Sequence, residues 1–104
     1  MSRDTRVPQA WDAQASIRLR VEKFELMTRV VGATSIVERS DLIGVHAKTI
    51  RRAMDGIVGE VFMAKTVLAL RRHESELRAC GLTPSLDELF EVVDAEAEIE
   101  GVAA

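Results

Sequence analysis

Apolar residues recur at intervals of three and four along most of this chain, the spacing of helices that bury one face. Ile17, Val21, Phe24, Met27 and Val31 form one stripe, which predicts a helix from about Asp12 to Gly32. Ser35 and Glu38 have capping-box spacing, so a second helix is expected to open there and to end near Ile43. A third is expected over about Ala47 to Asp55, stopped by Gly56. After the loop Gly56-Ile57-Val58-Gly59, the stretch Val61 to Leu70 is apolar on nearly every side. That predicts a central helix, carried on as far as Gly81. Thr83-Pro84-Ser85, with Glu88 three residues after Ser85, opens a fifth whose Leu86, Leu89, Phe90 and Val93 share a face. No segment alternates with period two over a useful length, so the expected fold is all-α, with five helices. Residues 1–11 are polar and non-periodic with Pro8, and read as a flexible arm whose end Trp11 anchors. Residues 12–99 read as a single helical domain, and 100–104 as a flexible tail.

Within this pattern, residues 35–56 stand apart. Ser40 is small where a partner helix must come close, and Gly44 can adopt the left-handed backbone of a sharp turn. Val45, Ile50 and Ala53 fall at offsets that aim them into one core. Ala47, Lys48, Arg51 and Arg52 are then left pointing outward, as on a helix built to enter a DNA major groove.

These residues resemble the helix-turn-helix of the lambda-repressor and Cro-like family of bacterial and phage DNA-binding proteins. With Ile36 as the first motif position, the small residue is fifth (Ser40) and the glycine ninth (Gly44). Val45 and Ile50 are then the tenth and fifteenth positions, and Ala53 the eighteenth. The chain departs from the family at Ile36, where a polar residue is usual, and carries Ser40 where alanine is commoner. The resemblance implies a five-helix lambda-repressor-like domain with its helix-turn-helix at about 35–55. It also implies that His46, Ala47, Lys48, Arg51 and Arg52 face base edges. The start of the first motif helix would then lie across the DNA backbone, at Ser35 and Arg39, with Thr49 a further phosphate neighbour.

Charge sharpens this picture. The chain's formal net charge is −3, an unusual sign for a nucleic-acid binder. The distribution explains it. All fourteen Lys and Arg fall within residues 1–78, against ten Asp and Glu, while residues 79–104 hold seven acids and no base. Screening over roughly 8 Å at physiological salt lets an acidic end coexist with a basic surface. The single cysteine, Cys80, cannot form an internal disulfide and fits a reducing cytoplasm. No run of eighteen apolar residues and no signal-peptide layout is present, so a cytoplasmic location, on the nucleoid when bound to DNA, is expected.

Each candidate has a plainer alternative. Lys48, Arg51 and Arg52 suit guanine O6 and N7, and Ala47 suits a thymine methyl; the same residues also suit a solvated helix face. His46 fits a cap, a solvent-facing residue or a phosphate contact equally. Ser35 fits simple capping, and backbone amides at that helix start fit a phosphate as well. His73, Glu74 and Glu76 are metal-ligand types without a matching second histidine or cysteine, so no metal and no cofactor is expected. No phosphate-cradling glycine loop or nucleophile pair is found, and no enzymatic activity is expected.

One such motif reads few base pairs, and the family resemblance implies a homodimer whose two recognition helices meet successive major grooves. Leu77, Val92 and Ile99 are the candidates for its apolar interface. The expected function is sequence-specific binding of double-stranded DNA as a transcriptional regulator, a repressor acting by operator occupancy. The rival is an antitoxin-like or other protein-interaction module that uses the acidic C-terminal helix to hold a protein partner.

Overall fold

In the computed structural model, the described residues are 15–56 and 58–94. They are mostly helical, with one small sheet. Strand β1 (Ala15–Leu19) leads into α1 (Val21–Val30), α2 (Ile36–Ile43) and α3 (Ala47–Met54). Then come α4 (Glu60–Arg71), α5 (Glu74–Ala79), the single turn α6 (Leu86–Leu89) and strand β2 (Phe90–Asp94). The strands pair antiparallel, Ala15 opposite Asp94 and Leu19 opposite Phe90, so the two ends of the described chain lie side by side.

Three helix expectations from the sequence are corrected here. The helix expected from Asp12 instead begins at Val21, because Ala15–Leu19 is extended and pairs with β2. The fifth expected helix opens as foreseen, with the Ser35-like cap repeated: Ser85 Oγ accepts the Glu88 N–H at 3.3 Å. It stops after one turn, and the β-branched run that follows becomes a strand. The fourth expected helix is two, interrupted at Arg72 and His73. Expectations for the arm 1–11, for Ile57, for Ile99 and for the tail 100–104 fall outside the described residues.

The core sits where α1, α3, α4, α5 and the base of the ribbon converge. Phe24, Met27, Ile50, Leu70, Leu77 and Leu89 have no exposed surface. Phe62 bridges the aromatic residues, with its ring centroid 6.2 Å from both Phe24 and Phe90. Each such side chain stabilises the fold by roughly 1.5–3 kcal/mol over leaving it in water. At the ribbon's base Leu19 and Phe90 join this core; further out Ile17 and Val92, opposite one another, leave it and face solvent. Among the described residues, no helix is long and apolar enough to cross a membrane.

Candidate nucleic-acid interface

The basic surface is assembled by local rules. Ser35 Oγ accepts the Glu38 N–H at 3.1 Å, and Glu38 Oε1 accepts the Ser35 N–H at 3.2 Å. The reciprocal pair occupies donors that the first turn of α2 would otherwise leave bare. The same Glu38 oxygen also takes the Thr34 N–H at 2.8 Å and the Thr34 hydroxyl at 2.9 Å. These donors, the Thr34 amide foremost, hold the Glu38 carboxyl below its ordinary 4.5.

At its other end α2 closes on Gly44, at φ 83° and ψ 37°. The Ser40 carbonyl accepts the Gly44 N–H at 2.8 Å and the Val45 N–H at 3.2 Å. A side chain with a Cβ resists that left-handed conformation, so glycine sets the reversal of direction. Val45 and His46 complete the turn, and α3 begins at Ala47. Ser40, nearly buried, keeps its hydroxyl within its own helix by donating to the Val37 carbonyl at 2.7 Å.

Helix α3 divides sharply. Ile50 and Ala53 are buried in the core, and Val45 packs against it from the turn. Lys48, Arg51 and Arg52 are exposed, and none of their side chains forms a hydrogen bond or ion pair with a described residue. The expected base-reading residues His46, Lys48, Arg51 and Arg52 therefore share one open surface, with Ala47 and Thr49 half-buried at its edge. Asp55, the acid nearest this surface in sequence, is exposed at the α3 C-cap and pairs with no described cation. Arg51 and Arg52 occupy the last turn, where the helix dipole favours positive charge.

Two expected residues lie elsewhere. Arg39 is 7% exposed, and its Nε donates to the buried Thr28 hydroxyl at 2.7 Å. Thr28 in turn donates to the Phe24 carbonyl at 2.8 Å, so Arg39 ties α2 to α1 rather than standing out towards a DNA backbone. Leu77, expected at a dimer face, is fully buried in the core. Val92, the other described residue of that set, is 77% exposed.

Lys65 carries no signal in the sequence pattern. From α4 its Nζ donates to the Gly44 carbonyl at 3.1 Å, occupying an acceptor at the end of α2. It thereby places a further cation beside the turn, in an open groove of about 600 Å³ that also takes in His46, Thr49 and Arg52. Twenty-one residues separate Lys65 from Gly44, and no local pattern links them.

With this geometry in view, the chain was compared with known proteins: no family model, no curated protein and no solved structure matches it.

Proposed function

We propose that this protein is a sequence-specific DNA-binding transcriptional regulator, with α3 as the helix that enters the major groove and α2 lying across the backbone. The observation that carries the reading is the division of α3. Its apolar side is fixed in the core by Ile50 and Ala53, while Lys48, Arg51 and Arg52 stand exposed without a described counter-charge. Burying the opposite side prevents the cations from rotating away, so they are held ready for guanine edges and phosphates. The resemblance of residues 35–56 to the lambda-repressor and Cro-like helix-turn-helix supports the same reading, and with it a lambda-repressor-like arrangement of the helices around α2 and α3.

Repression by occupancy follows most simply, since a protein seated on an operator excludes polymerase. Two copies would set their α3 helices roughly 34–36 Å apart, one turn of duplex. Val92 and Ile17 offer apolar surface for the second copy, beside a groove of about 400 Å³ that includes Met63, Leu86 and Phe90. A second reading has its own observation: Glu60, Asp87 and Glu91 rim that groove, which suits a basic protein partner in the antitoxin manner. Selection of bound fragments from a random DNA pool tests the first reading. A palindromic winner supports a dimeric regulator, whereas failure to enrich any sequence removes base readout. Sedimentation of the Val92→Asp chain separates the two uses of the groove: loss of a dimer supports the second copy, and an unchanged monomer leaves the groove to another protein.

A further inference from the structure

The cations of α3 have an acidic segment within reach. Lys48, Arg51 and Arg52 fall within five residues and are exposed, and none of their side chains pairs with a described residue. Like charges so close repel one another and favour any acid that can approach. Strand β1 packs against α3. Arg18 marks the contact, with its Nη2 3.6 Å from where a Cβ on Gly56 would stand, just past the helix. From Arg18 back to Ala15 is three residues, about 10 Å of strand. Ala15 pairs with Asp94, so the ten residues that follow, 95–104, leave the ribbon close to α3. They hold Glu96, Glu98 and Glu100 and no base.

We propose that residues 95–104 fold back over α3 of their own chain, where Glu96, Glu98 and Glu100 pair with Lys48, Arg51 and Arg52 until DNA displaces them. The effect on binding rests on the reading of α3 as the helix that meets DNA. Reach permits the contact: ten extended residues cover up to about 33–36 Å, while the eight residues of α3 add only about 12 Å to the path along β1. Spacing suits it as well. Glutamates at alternate positions of an extended chain fall on one side about 7 Å apart, and cations four apart on a helix stand about 5–6 Å apart. The long Lys and Arg side chains take up the difference. A tether this short holds the acids at an effective concentration on the order of millimolar. Exposed ion pairs are individually weak and screened by salt, so a duplex, with its unbroken rows of phosphate, wins the exchange. The tail thereby lowers affinity without closing the surface.

The substitutions Glu96→Gln, Glu98→Gln and Glu100→Gln, made together in the full chain, keep the length of the tail and remove its charge. NMR amide spectra of the native and substituted chains are compared without DNA, at about 50 mM and about 1 M salt. The amides of Lys48–Met54 are expected to differ between the two chains at low salt and to coincide at high salt, where the Debye length is about 3 Å. Differences confined to the substituted segment, or differences at α3 that grow with protein concentration, overturn the contact within one chain. On a mixed-sequence duplex at about 50 mM salt, three weak pairs predict about three- to tenfold tighter binding by the glutamine chain. That gain is expected to vanish in a chain that also carries Lys48→Ala, Arg51→Ala and Arg52→Ala. An equal gain in both backgrounds would mean that the tail repels DNA from a distance, and the docked contact would fall. If the native chain binds no duplex, the reading of α3 has failed, and the spectra still decide whether the tail lies on α3.

Discussion

The α2–α3 pair and the β1–β2 ribbon hold together by different means. The backbone and capping bonds that shape the α2–α3 corner span five residues or fewer: the Ser35–Glu38 box, the Ser40 carbonyl over Gly44 and Val45, and the helical ladders. Arg39–Thr28 and Lys65–Gly44 add longer side-chain ties. The ribbon joins residue 15 to residue 94, and only its base, at Leu19 and Phe90, is sealed by the core. A corner closed by short bonds and bolted down by Ile50 presents its outer face rigidly. A ribbon anchored at one end presents an apolar face, at Ile17 and Val92, that gains stability when something covers it. The rigid region suits reading of a fixed ligand surface, and the partly unsupported one suits association.

Substitutions probe this contrast, beginning with the largest effect. Ile50→Ala opens a cavity beneath α3 and is expected to cost about 2–5 kcal/mol in urea unfolding, with DNA affinity lost alongside. A cost under about 1 kcal/mol would mean that α3 is not bolted to the core. Gly44→Val forces a β-branched residue into the left-handed region and should cost about 1–2 kcal/mol or more, again read by urea. If it instead leaves stability intact, the turn is not the constraint described. Ser35→Ala removes one half of the capping box, for about 0.5–2 kcal/mol in thermal unfolding. At the ribbon, Val92→Ala should change stability by no more than about 0.5 kcal/mol in the isolated chain, because that side chain is already in water. A larger loss that grows with protein concentration would show the covered state directly.

Acid offers a finer probe of the corner alone. The Thr34 and Ser35 donors hold the Glu38 carboxyl below 4.5, so its ionised form is favoured by folding. The sign follows: the stabilisation is fully present above 4.5 and is lost as pH falls through the lower folded value. Urea midpoints followed down to about pH 3 should therefore fall more steeply for the native chain than for Glu38→Gln. Parallel curves would remove Glu38 from the account.

The same contrast explains what could be read from residues alone. The capping box, the left-handed glycine and the inward offsets of Ile50 and Ala53 are each signalled within a few positions. The ribbon is not. Ile17 and Val21 fit a helical stripe as well as Ile17 and Leu19 fit a strand, and only the partner strand far along the chain decides between them. Leu86, Leu89, Phe90 and Val93 carry the same ambiguity, resolved when Phe90–Asp94 pairs with Ala15–Leu19. Arg39 looked like a surface cation because its partner, the Thr28 hydroxyl, lies in another helix. Leu77 suits a dimer face as an apolar residue on the far half of the expected fourth helix, yet that helix breaks at Arg72 and His73 and α5 buries Leu77 in the core. For the candidate interface, the cations of α3 are legible, whereas Lys65 reaches the turn from α4, twenty-one residues away.

The most direct test compares the native chain with one in which Lys48, Arg51 and Arg52 are all alanine, on one mixed-sequence duplex over increasing salt. The account predicts native binding that weakens steeply with salt, and at least about a tenfold loss at low salt in the triple variant, with its thermal midpoint little changed. Equal affinity in the two chains, or native affinity indifferent to salt, would contradict it.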